Sequence, residues 1–355
     1  FFSLNYNVVV AAVFNITQFV LFYLDSMNTG SVSEMVVNQD VTENRNISIP
    51  SYFYISGFSG IPHMRYYYIF LFFVYIITVL GNSCLMFVII MDRNLHTPKY
   101  IAVFNLSLTD ISESTSTAVI PQQLEAYVFG NQFILYGLCM SQMFFNCVIF
   151  AVQSMTLTIL SFDRLVAICL PLRYHMLVTH RSMLVMIGAS WIIGLSIATA
   201  AIIFLTRLSF CRVVVIVNSF YCDHGPISRS SCSDYFPSFV ISVLYPVIIL
   251  GLPGVFIVFT YTCIAVTLFR ITTPQDRQRA TKTCTAHLML VAIFYVPITF
   301  TYAFWPFINT NTRIINLSLT SALPPLLNPI IYTFMTEEFM VKLCKKAQQK
   351  AVVLS

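Results

Sequence analysis

Long apolar runs separated by short polar joints organise this chain. A membrane-crossing helix needs about 20 apolar residues at about 1.5 Å of rise each. Seven runs meet that length: Tyr66–Met91, Ile101–Tyr127, Tyr136–Cys169, Met183–Leu205, Phe236–Phe269, Lys282–Phe307 and Ile314–Met335. The pattern predicts an all-α membrane protein, a bundle of seven spanning helices occupying residues 66–335. The second run carries Asp110, Glu113 and Glu125, and the third closes on Asp163 and Arg164. Pro324, Pro325 and Pro329 sit in the seventh, where they should kink the helix while neighbours satisfy the freed carbonyls. In the tail 336–355, Phe339, Met340, Leu343 and Cys344 fall at helical spacing beside Lys342, Lys345 and Lys346. That pattern predicts a short amphipathic helix on the inner membrane surface.

The stretch Val8–Leu24 is apolar for only about 17 residues, short for a span. Residues 1–34 are open to three readings: a signal-like core, a re-entrant piece, or sequence outside the native protein. The stretch is not counted as a crossing. Residues 25–60 are polar and carry the sequon Asn46-Ile47-Ser48, as expected of an extracellular amino-terminal segment.

Composition narrows the class. Charged residues are 9% of the chain and hydrophobic ones 57%. A typical soluble domain has about 25% charged residues. Lipid is the solvent that accommodates so much apolar surface. Lys and Arg in the joints give the direction. With the amino end outside and the carboxy end in the cytoplasm, thirteen of the 19 basic residues lie inside. The same topology puts Asn46 and the loop of Cys211, Cys222 and Cys232 outside, where glycosylation and disulfides form. The net charge of +5 is no nucleic-acid signal, because no basic stripe interleaves with stacking aromatics. Membrane lipid is the partner this distribution implies. No Gly-rich phosphate loop, His-Glu-x-x-His pair or spaced metal cluster stands in the sequence, so an enzyme and a cofactor are not expected.

The joints and helix ends carry motifs in a fixed order. Gly81-Asn82 lies in the first run and Leu106-Ser-Leu-Thr-Asp110 in the second. Cys139 opens the third, and Asp163-Arg164 closes it. Trp191, Pro253, Tyr261 and Asn328-Pro329-Ile-Ile-Tyr332 follow. This set resembles the rhodopsin-like (class A) G-protein-coupled receptors. Leu95-His-Thr-Pro-Lys-Tyr100, Ser161-Phe-Asp-Arg-Leu-Val-Ala-Ile-Cys169, Pro171-Leu-Arg-Tyr174, Lys282-Thr-Cys-Thr-Ala-His-Leu288 and Pro325-Leu-Leu-Asn-Pro-Ile-Ile-Tyr332 are similar to the odorant (olfactory) receptor branch. The string Phe53–Pro62 leans towards its class I subdivision.

The resemblance implies roles. Asp163 would neutralise Arg164 at rest, and Arg164 would meet a G protein when the helices spread. Leu165 replaces the Tyr usual after that pair. Tyr261 and Tyr332 are expected near Arg164 in the active form, with Asn328-Pro329 as a hinge. His287 is read either as a brace against the third helix or as a satisfied structural histidine. Asp110 is an ionisable group within the membrane, and so a functional hypothesis. Asn82, Asn328 and Gln153 are its expected neighbours. The branch often has Glu at Gln153, which weighs against sodium at Asp110, while Glu113, one turn away, offers a replacement carboxylate. Four cysteines allow three pairings. The family pattern implies Cys139–Cys222, leaving Cys211–Cys232 to close the loop on itself.

Family pocket positions fall on Asn146, Cys147, Phe150, Ala151, Tyr245, Ile249, Tyr295, Ile298, Tyr302, Ser318 and Ser321, with His224 hanging from the loop. Asn146 in place of an Asp argues against an amine ligand. The acid clamp of some relatives falls on Pro306, leaving Arg313 or Arg212 to substitute. The expected function is an odorant receptor at the plasma membrane, taking a small neutral or weakly polar organic molecule. Its expected partner is a stimulatory olfactory-type heterotrimeric G protein that raises cyclic AMP. The alternatives are a non-olfactory receptor of the same fold for a lipid or peptide, and a transporter, for which inverted repeats are missing.

Overall fold

The computed structural model describes residues 49–57, 64–116, 132–219, 221–233, 236–304 and 307–335. Asn46, the stretch Val8–Leu24, the second run beyond residue 116, Pro306 and the tail 336–355 lie outside the described residues. Seven long helices form the body: α1 Met64–Met91, α2 Pro98–Ser116, α3 Tyr136–Cys169, α4 His180–Thr206, α5 Phe236–Arg270, α6 Pro274–Ala303 and α7 Thr310–Met335. Among the described residues, six of them are long and apolar enough to cross a membrane. The other, α2, is less apolar because it carries the polar groups of the bundle centre. It packs against α1, α3, α4 and α7, and Asp110 is wholly buried.

Helix α6 starts eight residues before the apolar run and ends at Ala303 rather than Phe307. Pro274 at its first turn suits a helix start, where its missing N–H costs nothing. Apolarity marks what lipid requires of a helix, and the helix itself continues into the polar Gln275–Arg279 segment.

Prolines are absorbed by partners on other helices. Pro329 has no N–H, so the Pro325 carbonyl four residues back loses its helical donor. Asn82 Nδ2 of α1 donates to that carbonyl at 2.8 Å. Gly81 permits the approach: a Cβ there would stand 3.2 Å from Pro329 Cγ. Pro253 likewise frees the Ile249 carbonyl, and Ser154 Oγ of α3 donates to it at 2.5 Å. Around Pro253 the helix widens into a π turn, Val247–Gly251. Helices α2, α3 and α4 are joined by Asn105, which donates to Thr156 (2.9 Å) and accepts from Trp191 Nε1 (3.0 Å).

One element departs from an all-helical expectation. Strands β1 Tyr52–Ile55, β2 Phe133–Leu135 and β3 Val214–Val217 make a small sheet in the order β2-β1-β3. Strand β1 runs antiparallel to β2 and parallel to β3. Phe53 is fully buried and stacks on Tyr136 at 5.8 Å. Cys139–Cys222 and Cys211–Cys232 are disulfides, and the first lies inside the sheet's hydrophobic cluster. The short helix His224–Arg229 follows and caps that end of the bundle as a lid.

Helices α3 and α4 meet closely at Gly194. A Cβ on Gly194 would lie 3.2 Å from the Val148 carbonyl and 3.4 Å from Ala151 Cβ. Gly194→Leu should therefore overpack this seam, costing about 1–3 kcal/mol. The expected result is a lower thermal unfolding midpoint of the detergent-purified chain, with Gly188→Leu, at an open position, unchanged.

Candidate functional site

Beneath the lid lies a cavity of about 670 Å³. Helix α3 contributes Asn146, Cys147 and Phe150, and α5 contributes Tyr245. Ile298 and Tyr302 come from α6, Ser321 from α7 and His224 from the lid. The structure thus brings eight sequence-derived positions to one wall. The other four lie elsewhere. Ala151 faces Gly194 of α4. Ile249 is fully buried and offers its carbonyl to Ser154. Tyr295 bonds Ser154 Oγ through its hydroxyl at 2.8 Å, and Ser318 bonds Tyr67 at 2.6 Å.

The wall is mainly apolar, with Phe150 stacked on Phe294 at 5.2 Å. Tyr245 donates to the Cys147 carbonyl at 2.7 Å and so ties α5 to α3. Asn146 stands apart from this apolar side. Both polar atoms of its amide are buried without a hydrogen-bond partner, and the residue lines the cavity. A buried amide left unpaired is costly, and a ligand supplying a donor and an acceptor would remove that cost.

The lid brings charge that the sequence pattern did not single out. Asp223 and Arg229 line the cavity beside His224. Arg313 of α7 donates to the Asn218 carbonyl at 2.7 Å and stands 4.0 Å from Asp223. It is thereby committed to holding the lid. Burial raises the Asp223 carboxyl, and Arg313 opposes that rise. His224 contacts Ser238 Oγ through Nε2 at 3.3 Å, and burial pushes its imidazole down to about 4. Asp223 and Arg229 were not singled out from sequence, because their places follow from the course of the loop after β3.

The cavity floor continues into a buried polar cluster. Glu113 lines the cavity and accepts from Gln153 Nε2 at 2.8 Å. The same amide nitrogen donates to Asp110 Oδ1 at 3.1 Å. Asn328 Nδ2 donates to Asp110 Oδ2 at 2.7 Å. Gln153 thus links two carboxylates, and Asn328 carries the link to α7. Asn82 is engaged with the Thr78 and Pro325 carbonyls instead of Asp110. Asp110 is met by two amide donors where a sodium ion would need oxygens, so this arrangement does not fit a sodium shell. Among the described residues, no three His, Cys, Asp or Glu side chains are grouped to hold a metal.

At the opposite end of the bundle, Arg164 pairs with Asp163 at 2.5 Å. Tyr174 also donates to Asp163, at 2.8 Å, from the short helix Tyr174–Leu177. Asp163 is fully buried, and this pair of donors compensates its charge. The Tyr261 hydroxyl bonds His287 Nδ1 at 2.5 Å, with the rings stacked at 6.0 Å. His287 therefore braces α6 on α5 rather than on α3. Tyr332 of α7 is partly buried and packs against the main apolar core of the bundle.

Comparison with known proteins places this geometry. The family model described as "Olfactory receptor" matches residues 71–350. The chain is 31% identical over 305 residues to human "Olfactory receptor 13C2", covering 83% of this chain and 94% of that protein. It is 35% identical over 290 residues to human "Olfactory receptor 52B2", covering 79% and 88%. The crystal structure of squid rhodopsin superposes with a TM-score of 0.62 at 17% identity, over 80% of this chain and 81% of that one.

The lid supplies a pH test. The folded pKa of His224 lies below the unfolded value, so the unfolded lid binds more protons between about pH 6.5 and 4. Lid stability should fall as pH drops through that window. Asp223, raised by burial, contributes with the opposite sign. The diagnostic is therefore the difference between the chain and its His224→Gln variant. Hydrogen-exchange protection factors at Asp223–Ser230, which take out the intrinsic slowing of exchange in acid, should fall further with acid in the first than in the second.

Proposed function

This chain belongs to the olfactory receptor family, of rhodopsin-like fold, and on that premise we propose that it binds a small organic odorant in the cavity beneath the lid and activates a stimulatory heterotrimeric G protein, raising cyclic AMP. The receptor is a multi-pass protein of the plasma membrane. Its disulfide-bearing lid faces outward and its Arg164 end faces the cytoplasm, in accord with the loop charges.

The observation that carries the reading is the unpartnered Asn146 amide on the α3 side of the cavity, beside the apolar Phe150 and Phe294. Such a site suits an alkyl or aryl body with one uncharged polar head. The route to the far end is built from contacts already in place. A ligand that presses on Glu113 acts on Gln153, then on Asp110 and Asn328 of α7. A ligand that moves α6 acts on the Tyr295–Ser154 bond and, further along, on the His287–Tyr261 brace. Release of that brace frees α6 to swing from α5 and uncovers Arg164 for a G-protein segment. The mechanism is a population shift, in which the odorant binds the uncovered state better than the closed one.

The test is a cyclic-AMP assay in cells expressing the chain, against alcohols, aldehydes, carboxamides and acids of matched length. Activation by at least one class is expected. Asn146→Ala should weaken the best agonist by about tenfold, the worth of one net hydrogen bond. Arg164→Ala should abolish the response at unchanged surface expression. A response that survives Arg164→Ala unaltered would sink the coupling.

A further inference from the structure

Two disulfides bracket the lid, and the protein buries only one of them. Cys222 lies just before the lid helix His224–Arg229, and Cys232 lies just after it. Cys139 and Cys222 are both 0% accessible, inside the apolar cluster that contains Phe53, Phe210 and Ile227. Cys211 and Cys232 are both exposed. Thiol–disulfide exchange requires a thiolate to reach one of the two sulfurs, so access separates the two bonds. Packing shields the first bond, and the second is open to solutes at the lid end of the bundle.

The two bonds hold different ends of the lid. Cys139–Cys222 fixes its amino side to α3. Cys211–Cys232, with a sequence separation of 21, closes a loop that contains β3 and the lid helix. It returns the carboxy side of the lid to the segment that leaves α4. Two hydrogen bonds stand beside it. The Cys232 N–H donates to the Ser209 carbonyl at 2.9 Å, and the Ser209 N–H donates to Ser233 Oγ at 3.0 Å. Strand β3 keeps its own register on β1, from Val214 to Val217. In the lid helix Ile227 and Ser228 are buried, but Arg229 beyond them is exposed. Once the second disulfide is cut, the carboxy end of the lid is held by hydrogen bonds for which water competes. That end matters to the cavity, because His224, Gly225, Pro226 and Arg229 all line it.

We propose that Cys211–Cys232 is a thiol-exchange site, where a low-molecular-weight thiol arriving from outside releases the lid at its carboxy end and loosens the cover of the cavity. The thiolate attacks one sulfur of the pair. A new S–S bond forms to the incoming sulfur as the Cys211–Cys232 bond breaks, and the displaced cysteine leaves as a thiolate that takes a proton from water. A second thiol resolves the mixed disulfide. The protein gains two electrons and ends with two thiols, and the two small thiols depart as one disulfide. Cys139–Cys222 is untouched, so the lid stays hinged on α3. The inference rests on the outward-facing lid and ligand cavity of the proposed receptor, but its chemistry is read without a ligand.

The purified full chain, in phospholipid nanodiscs, is first treated with N-ethylmaleimide to block its free cysteines. It is then incubated with reduced glutathione and quenched with isotopically heavy N-ethylmaleimide. Peptide mass spectrometry should find the heavy label on Cys211 and Cys232, with Cys139 and Cys222 unlabelled. Hydrogen-exchange protection at residues 227–232 should fall by at least about tenfold in the reduced chain. Protection of Phe133–Leu135 should not change, and oxidised glutathione should restore the lid. Cys211→Ser with Cys232→Ser should show the low protection from the start and no response to glutathione. If that variant does not fold, the recovery with oxidised glutathione in the unaltered chain decides. Equal heavy labelling of Cys139 and Cys222, no heavy label on Cys211 and Cys232, or labelling there with lid protection unchanged overturns the proposal. Release of the lid in a chain that answers no odorant would remove the receptor reading and leave the exchange site standing.

Discussion

Inside a bilayer every backbone polar group must find its partner within the protein. That constraint governs this fold because its helices carry proline where they must bend. Each proline strips a donor from the carbonyl four residues earlier. The Ile249 carbonyl, freed by Pro253, is recovered by Ser154 of α3. The Pro325 carbonyl, freed by Pro329, is recovered by Asn82 of α1. A bend in one helix is thus bolted by a side chain of another. The bolts hold the bundle together, and they also mark the places where helices can be re-seated.

Those bolts stand next to the groups that connect the two ends. Ser154 accepts from the Tyr295 hydroxyl while donating to the Ile249 carbonyl, so α3, α5 and α6 meet in one hydroxyl. Gln153, its neighbour, joins Glu113 to Asp110. Two adjacent residues of α3 therefore face two different networks, one towards α5 and α6 and one towards α2 and α7. Buried networks of this kind are stiff when satisfied and costly when broken.

Much of this was legible in the chain. The apolar runs located the helices, because lipid demands an unbroken apolar surface. The ends were less legible, as α6 shows, since a helix may continue into polar sequence once it is started and capped. Asn146, Cys147 and Phe150 could be placed at the cavity because they share one face of α3 and a family position. Tyr295 and Ile249 share equally good spacing, yet they serve the Pro253 bend, which only the three-dimensional path of α5 reveals. Asp223, Arg229 and Arg313 were not legible as a group. Their meeting depends on a loop whose course is set by two disulfides, which the family pattern implied, and by a strand pairing, which it did not. The alternation Tyr52–Ile55 and the apolar run Val213–Val217 were the only hints of a sheet.

That sheet has a consequence for the order in which the molecule can be made. Strand β1 is the central strand, and both partners lie later in the chain: β2 at Phe133 and β3 at Val214. A growing chain therefore presents β1 early and pairs it late. Its parallel neighbour is not synthesised until α4 is complete. Until then Tyr52–Ile55 is an open strand edge, with Phe53 lacking the pocket that Phe210 and Tyr136 will provide. Among the described residues β1 is the first strand to emerge, and its sheet is complete only once β3 has followed α4.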